Sequence, residues 1–387
     1  MISQKNPRDY SIDLIRVISM FLVLSLHCMY YGGLYHKSYA SGGVNLYSMW
    51  FTFLHSLSTI SVNLFILISG YFLITQKFRI SKLIRIVCEV VFYSWIIFAL
   101  RLYFGGTEGI TLKMAITAIL PVTYVQYWFV SAYVALYVLS PVLNLFIRSI
   151  NQRQHFGVIV VLVCLFSVLN TIFPLSQVMG VRRFGQSVCW FVVLYIIGAF
   201  IRKYIEKHRF RKEARRWFWL SIAFMNVTWL ITALIASFFN LDFHNDKIGT
   251  MLKYFFMFDS VPVLIASVTA FHWLRGTTIT NIFTIGFIRR LTPCLLGVYL
   301  IHCNYYIRTL VWIGITDVNV SMLLMPIYAL LYTFVLYLVC AIIDYLRSLI
   351  CSVITSVMHL KALYKRLDGI VYVYYEKAYG CYLKKIG

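Results

Sequence analysis

Residues 9–33 read DYSIDLIRVISMFLVLSLHCMYYGG, an apolar run interrupted by three ionisable side chains, Asp13, Arg16 and His27. Apart from those three, it has the length and composition of a membrane-spanning helix. At about 1.5 Å and about 100° per residue, the eleven steps from Arg16 to His27 make almost three whole turns, setting both side chains on one face roughly 16 Å apart. That is about half of a hydrocarbon layer about 30 Å thick. A fixed cation near one surface and an imidazole deep toward the other describe a site reached from both sides of a bilayer. Ionisable groups at such depths mark function by default.

The rest of the chain agrees on the class. Of 387 residues, 61% are hydrophobic and 12% charged, with a mean hydropathy of +0.80, which excludes an ordinary soluble domain. The net charge of +22 would suggest nucleic acid in a soluble protein. Here the basic residues fall in short loops between apolar runs, so membrane topology accounts for them and no nucleic-acid partner is expected. The first run is longer than a secretory signal core and lacks a small-residue cleavage site, so it is expected to stay as the first span.

Ten apolar runs follow one another, near 11–31, 50–74, 84–104, 127–147, 155–174, 187–201, 217–238, 254–273, 291–311 and 322–349. The stretch 112–125, broken by Pro121, reads as a re-entrant or surface segment. Lysine and arginine concentrate before the first run, in every second loop and from Arg347 onward, which predicts cytoplasmic termini. The expected fold is therefore all-α and polytopic, with one transmembrane domain over 1–349 and a tail, 350–387, lying in the cytoplasm or on the membrane surface as an amphipathic element. The most basic loop, 202–217, reads as a solvated connector drawn to anionic lipid.

The nine cysteines are scattered, with no CxxC pair or zinc spacing. The His-Cys dipeptides at 27–28 and 302–303 invite a metal reading, but nothing in the sequence supplies further ligands, and no metal is expected.

Arg16 and His27, with ten residues between them, resemble the Arg/Lys-x10-His motif of the acyltransferase-3 family, integral-membrane enzymes that acylate bacterial surface carbohydrates. Three further stretches resemble the family in the same order. VNLFILISGYFLI at 62–74, followed by Lys77, Arg79, Lys82 and Arg85, is similar to its Ser-Gly-Phe/Tyr span and basic cytoplasmic loop. YWFVSAYVALYVLSPVLN at 127–144 is similar to its Trp-Phe-rich span, and LGVYLIH at 296–302 to its late Tyr-Leu-Ile-His stretch. Asn63 and Cys303 stand where many members carry proline, departures that concern helix shape more than chemistry.

The resemblance implies a bacterial plasma-membrane enzyme moving an acyl group, usually acetyl from cytoplasmic acetyl-CoA, to a hydroxyl of a glycan or glycolipid on the outer side. The residue chemistry suits this, because a hydroxyl is a poor nucleophile at neutral pH and a positioned imidazole takes its proton or accepts the acyl group itself. His27 is the candidate catalyst and His302 its family-motif companion. Asp259, in the outer half of the eighth run, is the candidate carboxylate to orient the imidazole, against a structural pairing with Lys253 or backbone. Arg16, beside Asp13, is either an interface anchor or an orienter of the donor phosphates. Arg79, Lys82 and Arg85 extend that anion site, and Ser69 and Gly70 let the coenzyme arm or another helix approach. Tyr127, Trp128 and Tyr299 are the aromatic candidates for the sugar, with an aromatic belt as the alternative for the first two.

Glu89 reads as a local ion pair with Arg85. His55 lies at outer-half depth and His302 near the midplane of the ninth run. The rival class is a transporter or flippase of a lipid-linked glycan; a catalytically inactive scaffold is a third. Acceptor, acyl chain and oligomeric state are not legible.

Overall fold

A computed structural model describes residues 8–35, 44–172, 185–241, 252, 254–357, 360 and 362–373. Every described regular element is helical, and among the described residues nine helices are long and apolar enough to cross a membrane. They occupy nine of the ten expected runs. The sixth run forms Val188–Tyr204, a helix of 17 residues buried over most of its length, about 25 Å long.

Burial sorts the helices into a centre and a periphery. The Leu46–Leu73 span is 83% buried inside the protein, whereas the Gln152–Ile172 span is 11% buried and turns its apolar side chains outward, as a lipid-facing helix does. Lipid tails are as apolar as leucine, so close packing and polar contacts hold spanning helices together. Both are visible at the centre. A Cβ on Gly70 would lie 2.1 Å from the Tyr195 carbonyl oxygen, and one on Gly198 would lie 2.3 Å from that of Leu67. The two glycines let Ser61–Leu73 and Val188–Tyr204 touch backbone to backbone.

Asn63, fully buried, supplies the polar tie. Its amide nitrogen donates to Phe258 O (2.8 Å) and Ser267 Oγ (3.2 Å), and its oxygen accepts from Trp190 Nε1 (3.1 Å), joining three helices.

Three expectations change. The ninth span is Ile282–His302, not 291–311. Pro293 sits in a 3-10 turn, Thr292–Cys294, inside it, and the helix stops after His302 although the sequence stays apolar beyond. His302 is therefore at the end of its span, not at mid-depth.

Glu89 pairs with Arg347 of the last span at 3.1 Å, not with Arg85, whose guanidinium lies over the Tyr364 ring. Arg347 also binds Asp344 (2.7 Å), which accepts from Tyr93 Oη (2.8 Å).

The basic stretch 202–217 is not wholly a solvated connector. Arg202 donates to Tyr71 Oη (3.0 Å), Lys203 to Ile147 O (2.9 Å), and Lys207 pairs with Asp9 (2.9 Å). From Arg211 onward it belongs to the helix Arg211–Phe238, because RKEARR is rich in good helix formers.

The last helix runs from Met325 to Val357. Residues 362–373 are helical and dock on the loop before Ile80–Gly105. Asp368 accepts from Ser81 N (2.9 Å) and Ser81 Oγ (2.6 Å), capping that helix in the way an N-cap carboxylate does. Leu112–Ile119 has eight residues, too few to span, and is tied down by bonds from Ser94 to Ala118 O and from Tyr306 to Met114 O, both 2.8 Å.

Candidate active site

The first helix, Tyr10–Tyr31, is unbroken, so Arg16 and His27 keep one face. Asp9 opens it by accepting from Ser11 N (3.1 Å), and Gly32 closes it by donating to Cys28 O (2.9 Å). His27 thus lies a little over one turn before the helix end. The turn after His302 is set by Asn304, fully buried, whose Nδ2 donates to Tyr127 Oη (2.7 Å) and whose Oδ1 accepts from Tyr306 N (3.0 Å). These two helix ends meet.

His27 Nδ1 and His302 Nε2 are 2.9 Å apart, and His302 Nδ1 is 2.6 Å from Val298 O. A carbonyl only accepts, so His302 carries its proton on Nδ1 and presents the Nε2 lone pair. The bond between the rings then requires the proton on His27 Nδ1, which leaves the lone pair of His27 on Nε2. This is the oriented base of a nucleophile-base arrangement, with His302 where a carboxylate stands in the serine-protease triad. Cys303 Sγ completes a triangle, 3.2 Å from His27 Nδ1 and 3.3 Å from His302 Nε2.

Rings wall the pair. Tyr31 is centred 5.3 Å from His27, Tyr299 is edge-on to His302 at 5.9 Å, and Tyr127 lies behind at 6.1 Å from Tyr299. The Arg308 guanidinium sits 5.0 Å from the Tyr31 ring, bringing one cation to the rim. His302 is fully buried and His27 partly open, so access is through His27.

The other candidates divide. Tyr127 and Tyr299 join the pair, while Trp128 packs on Phe191 and Phe258, one ring further off. Asp259 is buried and accepts from Asn170 Nδ2 at 2.5 Å. The imidazole partner of His27 is His302, not that carboxylate, and Lys253 lies outside the described residues. His55 is buried and stacked on Phe256 at 4.9 Å.

At the N-terminal end of the first helix, Asp13 bridges Arg16 (2.7 Å) and Arg8 (2.5 Å), and Arg16 also covers Phe72. One carboxylate between two guanidiniums leaves an excess positive charge there. Ser69 Oγ donates back to Phe65 O (2.9 Å) and Gly70 faces Tyr195, so that pair serves helix packing. Lys82 lies over the Tyr137 ring, and Tyr137 Oη bonds the backbone of Arg79. Beside them is a cavity of about 190 Å³ whose lining includes Lys77, Arg148, Asn144 and Tyr372.

The sequence named His27 and His302 but gave Cys303, Asn304, Tyr31 and Arg308 no role. Only the His-Cys dipeptide at 302–303 hinted at the thiol.

Fold and site define a multi-pass, all-helical membrane protein with a histidine pair at one end of its first span and a basic cluster at the other. Residues 9–345 match the family model of the acyltransferase-3 type, described as an acyltransferase domain, so the chain belongs to that family. No curated protein and no solved structure matches it.

Proposed function

We propose that this membrane acyltransferase is an O-acetyltransferase that moves acetyl from cytoplasmic acetyl-CoA to a hydroxyl of a surface polysaccharide or lipid-linked glycan in a bacterial plasma membrane. The observation that carries the reading is the bare Nε2 of His27, held in place through Nδ1 by His302, on the same rigid helix that carries Arg16 at the opposite end.

In this reading the coenzyme phosphates pair with the inner cations, where Arg16, Lys77, Arg79, Lys82, Arg85 and Arg148 surround the cytoplasmic entrance. The acyl thioester reaches outward along the first span. The glycan hydroxyl enters past Tyr31 and Tyr299, whose ring faces suit a sugar. His27 Nε2 takes the hydroxyl proton as the oxygen attacks the acyl carbon, and the thiolate of the coenzyme leaves and recovers that proton. His302 is a positioning residue, accepting from Nδ1–H throughout and stabilising the imidazolium that forms.

The test is mass analysis of envelope glycans from cells with the intact gene, without it, and with His27→Ala. Loss of an acetyl-sized substituent in both altered strains supports the reading. Glycans unchanged in all three overturn it, and a loss of glycan export with His27→Ala still complementing favours a flippase.

A further inference from the structure

Three described histidines outside the pair are accounted for by their surroundings. His55 is stacked on Phe256, His155 bonds Ile196 O, and His272 bonds Arg209 O and Arg275. Among the described histidines, His27 and His302 are the two that meet both a second imidazole and a thiol. His27, His302 and Cys303 are also the one group among the described residues in which three metal-ligating atoms converge, all within 4.8 Å of one another.

We propose that these three side chains form a binding site for a single zinc ion, and that its occupancy switches the active site off. Two imidazole nitrogens and one sulfur are a donor set for Zn²⁺, and a poor one for Mg²⁺ or Ca²⁺, which take oxygen. With Zn–N bonds of about 2.0 Å and a Zn–S bond of about 2.3 Å, tetrahedral geometry needs edges of about 3.3 Å between nitrogens and about 3.5 Å from nitrogen to sulfur. The triangle measures 2.9, 3.2 and 3.3 Å, so each edge opens by a few tenths of an ångström when a cation replaces the shared proton. The bond from His302 Nδ1 to Val298 O is the outer-shell contact that a metal-bound histidine ordinarily makes, and it already fixes the correct tautomer. The fourth position, on the open side of His27, is left to water.

The proton balance explains the switch, and this half of the proposal rests on His27 being the base. Zinc takes the Nδ1 lone pair of His27, so the ring proton moves to Nε2, where it occupies the lone pair that would receive the acceptor proton. The thiol of Cys303 loses its proton to solvent. The ion and the acyl-transfer reaction therefore exclude each other at the same ring. Cys28, in the other His-Cys dipeptide, is fully inside the protein beside Thr333 and takes no part.

The experiment uses the full-length protein in lipid nanodiscs, stripped of metal and titrated with Co²⁺ as a spectroscopic probe of zinc sites. One equivalent should raise a thiolate-to-cobalt charge-transfer band that Zn²⁺ displaces and Mg²⁺ does not. Cys303→Ser, with unchanged thermal unfolding, should abolish the band and weaken zinc by roughly tenfold or more, while Cys28→Ser keeps both. Absence of the band in the intact protein, or its survival in Cys303→Ser, overturns the site. Zinc binding with undiminished acetyl transfer overturns the switch alone. Failure of the metal-free protein to transfer acetyl refutes the proposed function and leaves the binding result standing.

Discussion

Two polar clusters are buried in this protein within a few residues of each other along the ninth span, and they are built on opposite principles. Around Gly297, the Asp344 and Glu89 carboxyls share the Arg347 guanidinium, with Tyr93 donating to Asp344. A Cβ on Gly297 would overlap the Asp344 carboxylate at 2.0 Å. Five residues on, His302 and His27 meet with no carboxylate among the described residues in contact, held by a backbone carbonyl and a thiol. The first cluster ties both carboxyls to one guanidinium and locks three helices. The second leaves a lone pair uncompensated, which is what a reactive group needs. In a membrane interior both are costly, and the comparison separates the cost of holding helices from the cost of keeping a base.

That contrast is broken most strongly by His27→Ala, which should lower acetyl transfer by about 10²- to 10⁴-fold, the usual worth of a general base, with thermal unfolding unchanged. Arg347→Met should do the reverse. It strands the buried Asp344 and the half-buried Glu89 carboxyls at a cost of about 3–5 kcal/mol, so the folded yield in detergent collapses, while whatever folds retains the reaction. His302→Asn sharpens the positioning role. It should reduce kcat by about 10²-fold through a misplaced ring, with KM for the donor nearly unaffected; equal losses in both would argue against it.

Smaller effects lie away from both clusters. Gly70→Ala pushes a methyl into the Tyr195 carbonyl and should destabilise by about 1–3 kcal/mol, seen as a lower unfolding temperature. Asp9→Asn keeps the cap oxygen but loses the charge that faces Lys207 and the helix N-terminus, which should cost about 0.5–1 kcal/mol. Burial pushes the Asp9 carboxyl up, but the Ser11 hydroxyl and the Lys207 ammonium outweigh it and hold it below the usual range. A lowered folded-state value means that its contribution is complete above the ordinary carboxylate range and is lost as pH falls through the folded-state value. The gap between Asp9→Asn and the intact protein should therefore close in acid.

The span pattern was legible because hydropathy and basic loops are local properties of the sequence. His27 and Arg16 were legible for the same reason, since one helix carries both. What the sequence hid depends on pairing between distant elements. The Arg347 partner of Glu89 lies 258 positions further on, whereas Arg85 is one turn away, so a local reading chose the neighbour. Asp344 and Arg347, three apart inside an apolar helix, were the available signal and pointed to a charge cluster without naming its third member. The end of the ninth span was hidden because the apolar run continues past His302, and the stop is made by Asn304 bonding to Tyr127. Asp259 was placed by depth alone, which cannot tell one side of a bundle from the other.

The account turns on where one proton sits. ¹⁵N NMR of the histidine-labelled, metal-free protein in nanodiscs at neutral pH reads this directly, with His27→Ala and His302→Asn assigning the signals. Both rings are expected as the Nδ1–H tautomer, His27 with a bare Nε2. A His27 ring protonated on Nε2 would contradict the base assignment.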